Sequence, residues 1–338
     1  MSQFPLVAVV GATGAVGVEI VQCLEQRQFP LTTLRVLASA RSAGRTVPFK
    51  GRGLNIELLT TGAFADVEIA IFAAGGAVSR EYAPLAVRAG AVVIDNSSAF
   101  RMQADVPLVV PEINASEIPR HRGIIANPNC VAVIASMALW PLHRQNPIRR
   151  IVAATYQAAS GAGAAAMEEL RESTHASLEG RAFEPRVLPH PYAFNIFSHN
   201  TRVDPENGYN EEETKVMQEM RKIFADETIR VTATCIRVPV LRAHGIALNV
   251  EFERPMEPDA ARRLRGDAPG VRVVDDVARN HFPMPNEASG QDLVLAGRIR
   301  RDASDPSGRS LAMFVVGDQL LKGAALNAVQ IAEMLPRR

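Results

Sequence analysis

A buried strand that runs straight into a glycine turn and out along a helix limits what this chain can become. Leu6–Val10 is a continuous apolar, β-branched run, as expected of a strand covered on both faces. Gly11, Gly14 and Gly17 follow at three-residue spacing, and Val18, Ile20, Val21 and Leu24 then recur at helical spacing. Glycine lets the backbone turn sharply and approach a pyrophosphate, which then rests on the helix N-terminus. The same turn could serve packing alone, but its place after an N-terminal buried strand favours a dinucleotide. About twenty residues further on, an NAD site usually offers a carboxylate to the ribose. This chain has Ser39, Arg41, Ser42 and Arg45 there. Hydroxyls and cations suit a 2′-phosphate, so NADP is the expected cofactor, with an exposed basic loop as the bland alternative.

Further short apolar runs lie at 34–37, 68–73, 91–95, 107–110 and 123–126, with a helical stretch at 79–88. Strands alternating with helices predict a parallel, doubly wound sheet over residues 1–129. The second half reads differently. Longer alternating runs at 150–157, 229–240, 244–253, 292–299 and 310–316 accompany helical patterns after Cys130, Ala162 and Glu257. They predict an α+β domain with a mixed, largely antiparallel sheet. Leu321, Ala324, Ala325, Ala328, Ile331, Ala332 and Leu335 form one face of a closing helix. The expected class is α/β, a Rossmann-type sheet followed by this second domain.

Composition narrows the function classes. A chain of 338 residues suggests roughly two domains. Its 37 Lys and Arg against 36 Asp and Glu leave a charge of +1, without the basic footprint of a nucleic-acid binder. Cys23, Cys130 and Cys235 show no C-x-x-C spacing, so neither a zinc site nor a disulfide framework is expected and a reducing compartment fits. The histidines show no metal-binding spacing, so no metal is expected. The apolar run 130–142 is too short to span a bilayer, and the N-terminus has no basic n-region. A soluble, cytoplasmic protein without a membrane partner is expected.

The second half also carries the chemistry. Pro128 halts the preceding strand, Asn129 is a good N-cap, and Cys130 then falls in the first turn of a helix. Unpaired N–H groups and the helix dipole favour a thiolate there, although a cysteine before an apolar run is by default an inert core residue. Tyr156 to Gly163 joins a strand to a helix with small residues that allow close ligand approach. Glu212 and Lys215 share a helix face at i, i+3, which alone is more often a surface ion pair. Arg237 stands in an apolar strand and needs an anionic partner, and His244 follows at the start of the next run.

Taken together these segments resemble aspartate-β-semialdehyde dehydrogenases over nearly the whole chain. The resemblance rests on the 11–17 turn, 39–44, 96–101, 110–114, 127–130, 157–163, 193–195, 207–215, 237–244, 297–300 and 317–333. It implies a homodimer with an NADP-binding domain over 1–129, completed by a C-terminal helix at 319–338, and a catalytic and dimerisation domain over 130–318. The implied reaction is reductive dephosphorylation of β-aspartyl phosphate to aspartate semialdehyde, with inorganic phosphate released, on the route to lysine, threonine and methionine. Matching positions make Cys130 the nucleophile, His244 the general acid/base and Gln157 the group that orients the acyl function. Arg237 would hold the substrate α-carboxylate, Glu212 its amine, and Arg101 and Lys215 the phosphate. Gly11, Thr13, Gly14, Ala15, Val16, Gly17, Ser39, Arg41, Ser42, Ser160, Gly161 and Gln319 would line the cofactor.

The chemistry agrees with that assignment. An acyl phosphate is attacked well by a thiolate, and the resulting thioester splits one difficult step into two. A histidine of near-neutral pKa would take the thiol proton and later return one. There are two departures from the family pattern: Val131 and Ala132 stand where Ser or Thr is common, and Gly245 where many members have Ser. The alternatives are an N-acetylglutamyl-phosphate reductase, which has no use for a group gripping a free amine, and a non-catalytic NADP-binding paralogue. Loss of Cys130 or His244 would have favoured the latter, and both are present.

Overall fold

The computed structural model describes residues 5–266 and 268–336. Residues 1–4 of the expected first domain and 337–338 of the expected closing helix lie outside the described residues. The chain divides into two compact units, one running to Asn129 and resuming at Ala324, the other Cys130–Gly323.

The first unit carries β1 (Leu6–Val10), α1 (Ala15–Gln26), β2 (Thr33–Ala38), β3 (Thr46–Phe49), β4 (Arg52–Leu58) and β5 (Ile69–Phe72). It continues with α2 (Gly76–Arg88), β6 (Val92–Asp95), α3 (Pro111–Asn114) and β7 (Ile124–Ala126). The strand order is β3-β4-β2-β1-β5-β6-β7, parallel except for the β3–β4 hairpin. β1 lies between β2 and β5, and Val7 through Val10 are fully buried, which is why its sequence is apolar without alternation.

Two local expectations are corrected. The β3–β4 hairpin is absent from the sequence reading; Lys50 and Gly51, with φ of 48° and 72°, make its two-residue turn. The run 107–110 was expected as a strand but contributes only a bridge from Leu108 to Ala126. Asn114 takes its ladder groups instead, accepting Val110 N–H at 2.8 Å and donating to Leu108 O at 2.9 Å.

The second unit carries α4 (Cys130–Gln145), β8 (Ile148–Gln157), α5 (Ala164–Leu178), β9 (Phe197–Ser198), α6 (Glu211–Phe224) and β10 (Arg230–Arg237). Then come β11 (His244–Phe252), α7 (Pro258–Gly266), β12 (Val271–Val273), α8 (Pro285–Ala288), β13 (Val294–Arg301) and β14 (Ser310–Gly317). The sheet order is β12-β13-β14-β11-β8-β10-β9, mixed and largely antiparallel, with β8–β10 and β12–β13 as its parallel pairs. α4 is buried almost all round, because it packs on β8, β11, β13 and β14 while α6 and α7 flank it. The opposite face of the central strands is open: Val152, Ala154, Tyr156, Ala247, Ala312 and Phe314 are half-buried or exposed.

After β14 the chain makes a wide helical turn at Leu321–Ala325 and continues as α9 (Leu326–Glu333). Residues 319–323 group with the second unit, and those from Ala324 with the first. There Asn327 donates to Val109 O at 2.9 Å, and Arg27 on α1 meets Glu333 at 2.7 Å.

The glycines of the turn differ in what they do. A Cβ on Gly17 would lie 2.1 Å from Gly11 O, whereas one on Gly14 would meet nothing closer than 3.4 Å. Gly17→Ala is therefore expected to destabilise the first unit by about 1–3 kcal/mol through overpacking, read as a lower urea midpoint. Gly14→Ala should leave that midpoint in place. Equal losses in both variants would mean that backbone freedom, not the close approach of α1 to the turn, is what Gly17 supplies.

Candidate active site

In the first unit the turn after β1 is held by the sheet. Gly11, at φ 83°, donates to Leu37 O at 2.8 Å, and a Cβ there would lie 2.8 Å from Ala73 O. Gly14 is the N-cap of α1, and the first turn of that helix carries no acidic residue. Thr13 Oγ1 donates to Ser42 Oγ at 3.4 Å, which brings the loop after β2 against the glycine turn. Ser39 and Arg41 are exposed, Ser42, Ala15 and Val16 half-buried. An open helix N-terminus flanked by hydroxyls and a cation fits a dinucleotide with an added phosphate. Arg101, also in this unit, is buried, and donates to Asn127 O at 2.9 Å and Asn96 O at 2.8 Å.

The second unit gathers the other expected residues. Cys130 is the first residue of α4 and is half-buried. Its Cβ packs against Gly323, where an added Cβ would come within 2.9 Å. Gln157 ends β8 fully buried, with its amide held at both ends. Thr155 Oγ1 donates to Gln157 Oε1 at 2.9 Å, and Gln157 Nε2 donates to Glu212 Oε1 at 3.1 Å. Glu212 Oε2 in turn lies 3.6 Å from Lys215 Nζ. A carboxylate only accepts and the hydroxyl proton points at Oε1, so the orientation of the amide is set from both sides.

Arg237 is 3 % exposed at the end of β10. Its Nε donates to Asn200 Oδ1 at 3.4 Å and its Nη1 to Ala158 O at 3.3 Å. Among the described residues no carboxylate stands within ion-pair distance of it. Burial lowers its pKa, and Tyr192, Glu212 and Cys130 oppose that shift.

His244 is completely buried at the start of β11. Ala243 before it has φ 73°, a strained conformation for alanine, and donates its N–H to Gln319 Oε1 at 2.9 Å. Gln319 Nε2 donates to Ser160 Oγ. Gly161 adjoins both basic groups, since its missing Cβ would lie 3.0 Å from His244 Nε2 and 3.1 Å from Arg237 Nη1. Burial, and then Arg237, push the His244 pKa down to about 3. That corrects the near-neutral value the sequence suggests: position 244 lies inside the unit, not at its surface.

Sequence reasoning missed several groups here. Thr155 is one. His199 is buried beside Arg237, Glu212 and Lys215, and burial and Arg237 hold its pKa well below the usual range. Tyr192 is buried with its hydroxyl unpartnered among the described residues, and its pKa is pushed up to about 12 by burial against the pull of Arg237. Both come from the irregular segment between α5 and α6, where no periodicity marks them. Among the described residues no group of His, Cys, Asp and Glu could hold a metal.

The buried histidines make stability depend on pH. The unfolded His244 takes up a proton near 6.5, the folded one only near 3. Between those values the unfolded chain holds the extra proton, so stability falls as pH drops through that window. From pH 7 to 5 one such group accounts for about 2 kcal/mol, and His199 acts in the same direction. His244→Gln should flatten the urea midpoint between pH 7 and 5. An unchanged slope would mean that the ring is protonated in the folded protein.

Comparison with known proteins accords with this geometry. Residues 6–121 match the family model "Semialdehyde dehydrogenase, NAD binding domain", and residues 139–322 match "Semialdehyde dehydrogenase, dimerisation domain". The aspartate-semialdehyde dehydrogenase of Synechocystis sp. is 53% identical, covering 98% of this chain and 97% of that protein. That of Bacillus subtilis is 43% identical, covering 98% and 97%. The crystal structure of Vibrio cholerae aspartate semialdehyde dehydrogenase II complexed with ASA superposes with a TM-score of 0.95 at 41% identity, covering 99% of this chain and 98% of that one. These likenesses favour the aspartyl reading over the N-acetylglutamyl one and extend from end to end: the chain belongs to the aspartate-semialdehyde dehydrogenase family.

Proposed function

We propose that this chain is an NADP-dependent oxidoreductase that converts β-aspartyl phosphate to aspartate β-semialdehyde and inorganic phosphate through a thioester on Cys130. The observation that carries the reading is Arg237. A guanidinium buried without a carboxylate partner is costly, and the α-carboxylate of an aspartyl substrate supplies the missing anion with matching bidentate geometry. Gln157 and Glu212, joined by their hydrogen bond, then receive the acyl group and the α-amine. Lys215 stands beside Glu212 and receives phosphate, the role that the family resemblance also assigns to Arg101.

Cys130 opens α4, where the helix dipole favours the thiolate that attacks the acyl carbon. Departure of phosphate leaves the thioester. NADP, when bound, exchanges the hydride that interconverts thioester and aldehyde. Gly11, Thr13, Gly14, Ala15, Val16 and Gly17 would hold its pyrophosphate, Ser39, Arg41 and Ser42 its 2′-phosphate. The family resemblance assigns Ser160, Gly161 and Gln319 to the cofactor as well.

The working form is a homodimer in the cytoplasm. The open sheet face with Tyr156 and Phe314 at its centre is the surface a second copy would cover, and the matched dimerisation domain supports that reading. Among the described residues Cys23, Cys130 and Cys235 form no disulfide, which fits a reducing compartment.

The decisive assay is phosphate-dependent NADP reduction with aspartate semialdehyde, beside N-acetylglutamate semialdehyde and with NAD in place of NADP. Reaction of the acetylated aldehyde alone would overturn the substrate. Arg41→Ala should weaken NADP binding by about 1–3 kcal/mol, the scale of a charge-assisted hydrogen bond, with little change for NAD; equal losses would mean that Arg41 only supports its loop. Cys130→Ser should abolish turnover while NADP affinity persists. Iodoacetamide should label Cys130 ahead of Cys23 and Cys235, because both of those are buried and burial pushes the Cys235 thiol up to about 12. Wild-type turnover in Cys130→Ser, or substrate protection of another thiol, would end the covalent mechanism.

A further inference from the structure

We propose that Thr155 is a positioning residue for the acyl step: its hydroxyl holds the Gln157 amide in the one orientation that turns an N–H to the substrate. The inference rests on the reading of Gln157 as the group that receives the acyl function, and it concerns what keeps that amide in place.

Position comes from the strands. Thr155 and Gln157 are two residues apart on β8, so both side chains point to one face. The parallel register with β10 sets Cys235 beside Thr155 and Arg237 beside Gln157, which makes two layers. All four residues are buried. One layer carries the proposed substrate groups Gln157 and Arg237, and Glu212 of α6 is hydrogen-bonded to it. Thr155 belongs to the other layer, and its bond to Gln157 links the two.

The polarity of the bonds follows from their chemistry. The amide atom 3.1 Å from Glu212 Oε1 is Nε2, because a carboxylate only accepts. Oε1 then faces Thr155 Oγ1 at 2.9 Å and takes the hydroxyl proton. Burial keeps the neighbouring Cys235 thiol protonated, its pKa pushed up to about 12, so no thiolate competes for that proton. Threonine is β-branched and stiff at χ1, so the strand backbone itself aims the hydroxyl. Turning the amide over would set its carbonyl against the Glu212 carboxylate.

Glu212 takes one N–H of Nε2. Among the described residues the second has no acceptor, on a side chain that is almost fully buried. An amide N–H in such a place needs an acceptor from outside the chain, and the acyl oxygen of the substrate is one. Glu212 and Thr155 share the task of holding the amide until substrate arrives. In the proposed complex the α-ammonium comes to Glu212, whose Oε2 already lies 3.6 Å from Lys215 Nζ. The carboxylate is then divided between the ammonium, Lys215 and Gln157, and its hold on the amide weakens. The bond from Thr155 is untouched by that competition. Its contribution therefore falls after binding, when the acyl oxygen gains charge and a donor held in register stabilises it. Its loss belongs in kcat, not in KM.

Phosphate-dependent oxidation of aspartate semialdehyde by the whole enzyme tests this in four variants. Thr155→Val keeps the branched shape and removes the hydroxyl. Its kcat should fall about 10²-fold, with the KM values for phosphate and NADP unchanged. Thr155→Ser keeps the hydroxyl and loses the methyl. It should recover most of that kcat, even where its urea midpoint is the lower of the two. Equal kcat losses in both, or wild-type kcat in Thr155→Val, overturn the proposal. In a Gln157→Ala background Thr155→Val should cost nothing further, because the threonine acts through the amide. Additive losses there also overturn it. Gln157→Ala alone separates this inference from the reading beneath it. Wild-type kcat in that variant ends the role of Gln157, and the inference with it; a loss there with none in Thr155→Val ends the role of Thr155 only.

Discussion

Glu213 decides where the reacting groups of the second unit can stand. β9 pairs only with Ile236 and Arg237, so the outer edge of β10 would leave Cys235 N–H without a ladder partner. Glu213 Oε1 accepts that N–H at 2.9 Å, while Oε2 accepts Asn210 N–H at 2.9 Å. The Asn210 side chain returns the bond to Glu213 N–H, and a capping box is closed. One carboxylate therefore completes a strand edge and caps a helix. Glu212 is its neighbour on α6, and Arg237 lies two residues beyond Cys235 on the same face of β10. The distance between the proposed amine and carboxylate contacts is thus set by a residue that touches neither.

The same division separates what could be read in the sequence from what could not. Arg237 in an apolar run and Cys130 after Asn129 announce themselves, because each breaks or begins a pattern. The groups that hold them do not. Thr155 looks like any strand threonine, and its bond to Gln157 follows only once β8 is buried on that side. Thr201 and His199 lie in a segment with no period, yet Thr201 Oγ1 accepts Glu212 N–H at 3.2 Å and lies 3.3 Å from His199 Nδ1. Tertiary placement gives these side chains their meaning. His244 is the sharpest case: sequence supplies its type, and only packing supplies its burial.

For the fold, legibility follows the strength of the pattern. β1 and β5 are buried on both faces and read as unbroken apolar runs, as does β6 up to the buried Asp95 that ends it. β3 and β4 are not: Pro48 and Arg52 are exposed, the strands lie at the sheet edge, and the turn at Lys50 and Gly51 is the main local cue. The run 107–110 fails for the opposite reason. It has the composition of a strand, but the Asn114 side chain outcompetes a neighbouring strand for its backbone groups.

Both departures from the family pattern are matters of packing. Val131 and Ala132 are fully buried in a helix that is apolar almost all round, so a hydroxyl at either place would need an acceptor within the core. A Cβ on Gly245 would lie 2.7 Å from Phe314 Cζ, and Phe314 packs edge-on against Tyr156 at 6.0 Å. Glycine at 245 and the aromatic pair are thus one packing solution, and a serine there would push Phe314 off its seat. Strand parity gives that solution a wider consequence. His244 and Gly245 point to opposite faces of β11, one into the reacting cluster and the other under Phe314 on the open face. Through these two adjacent residues, the position of the aromatic pair constrains the backbone that carries the His244 ring, whose Nδ1 accepts Ala158 N–H at 3.0 Å.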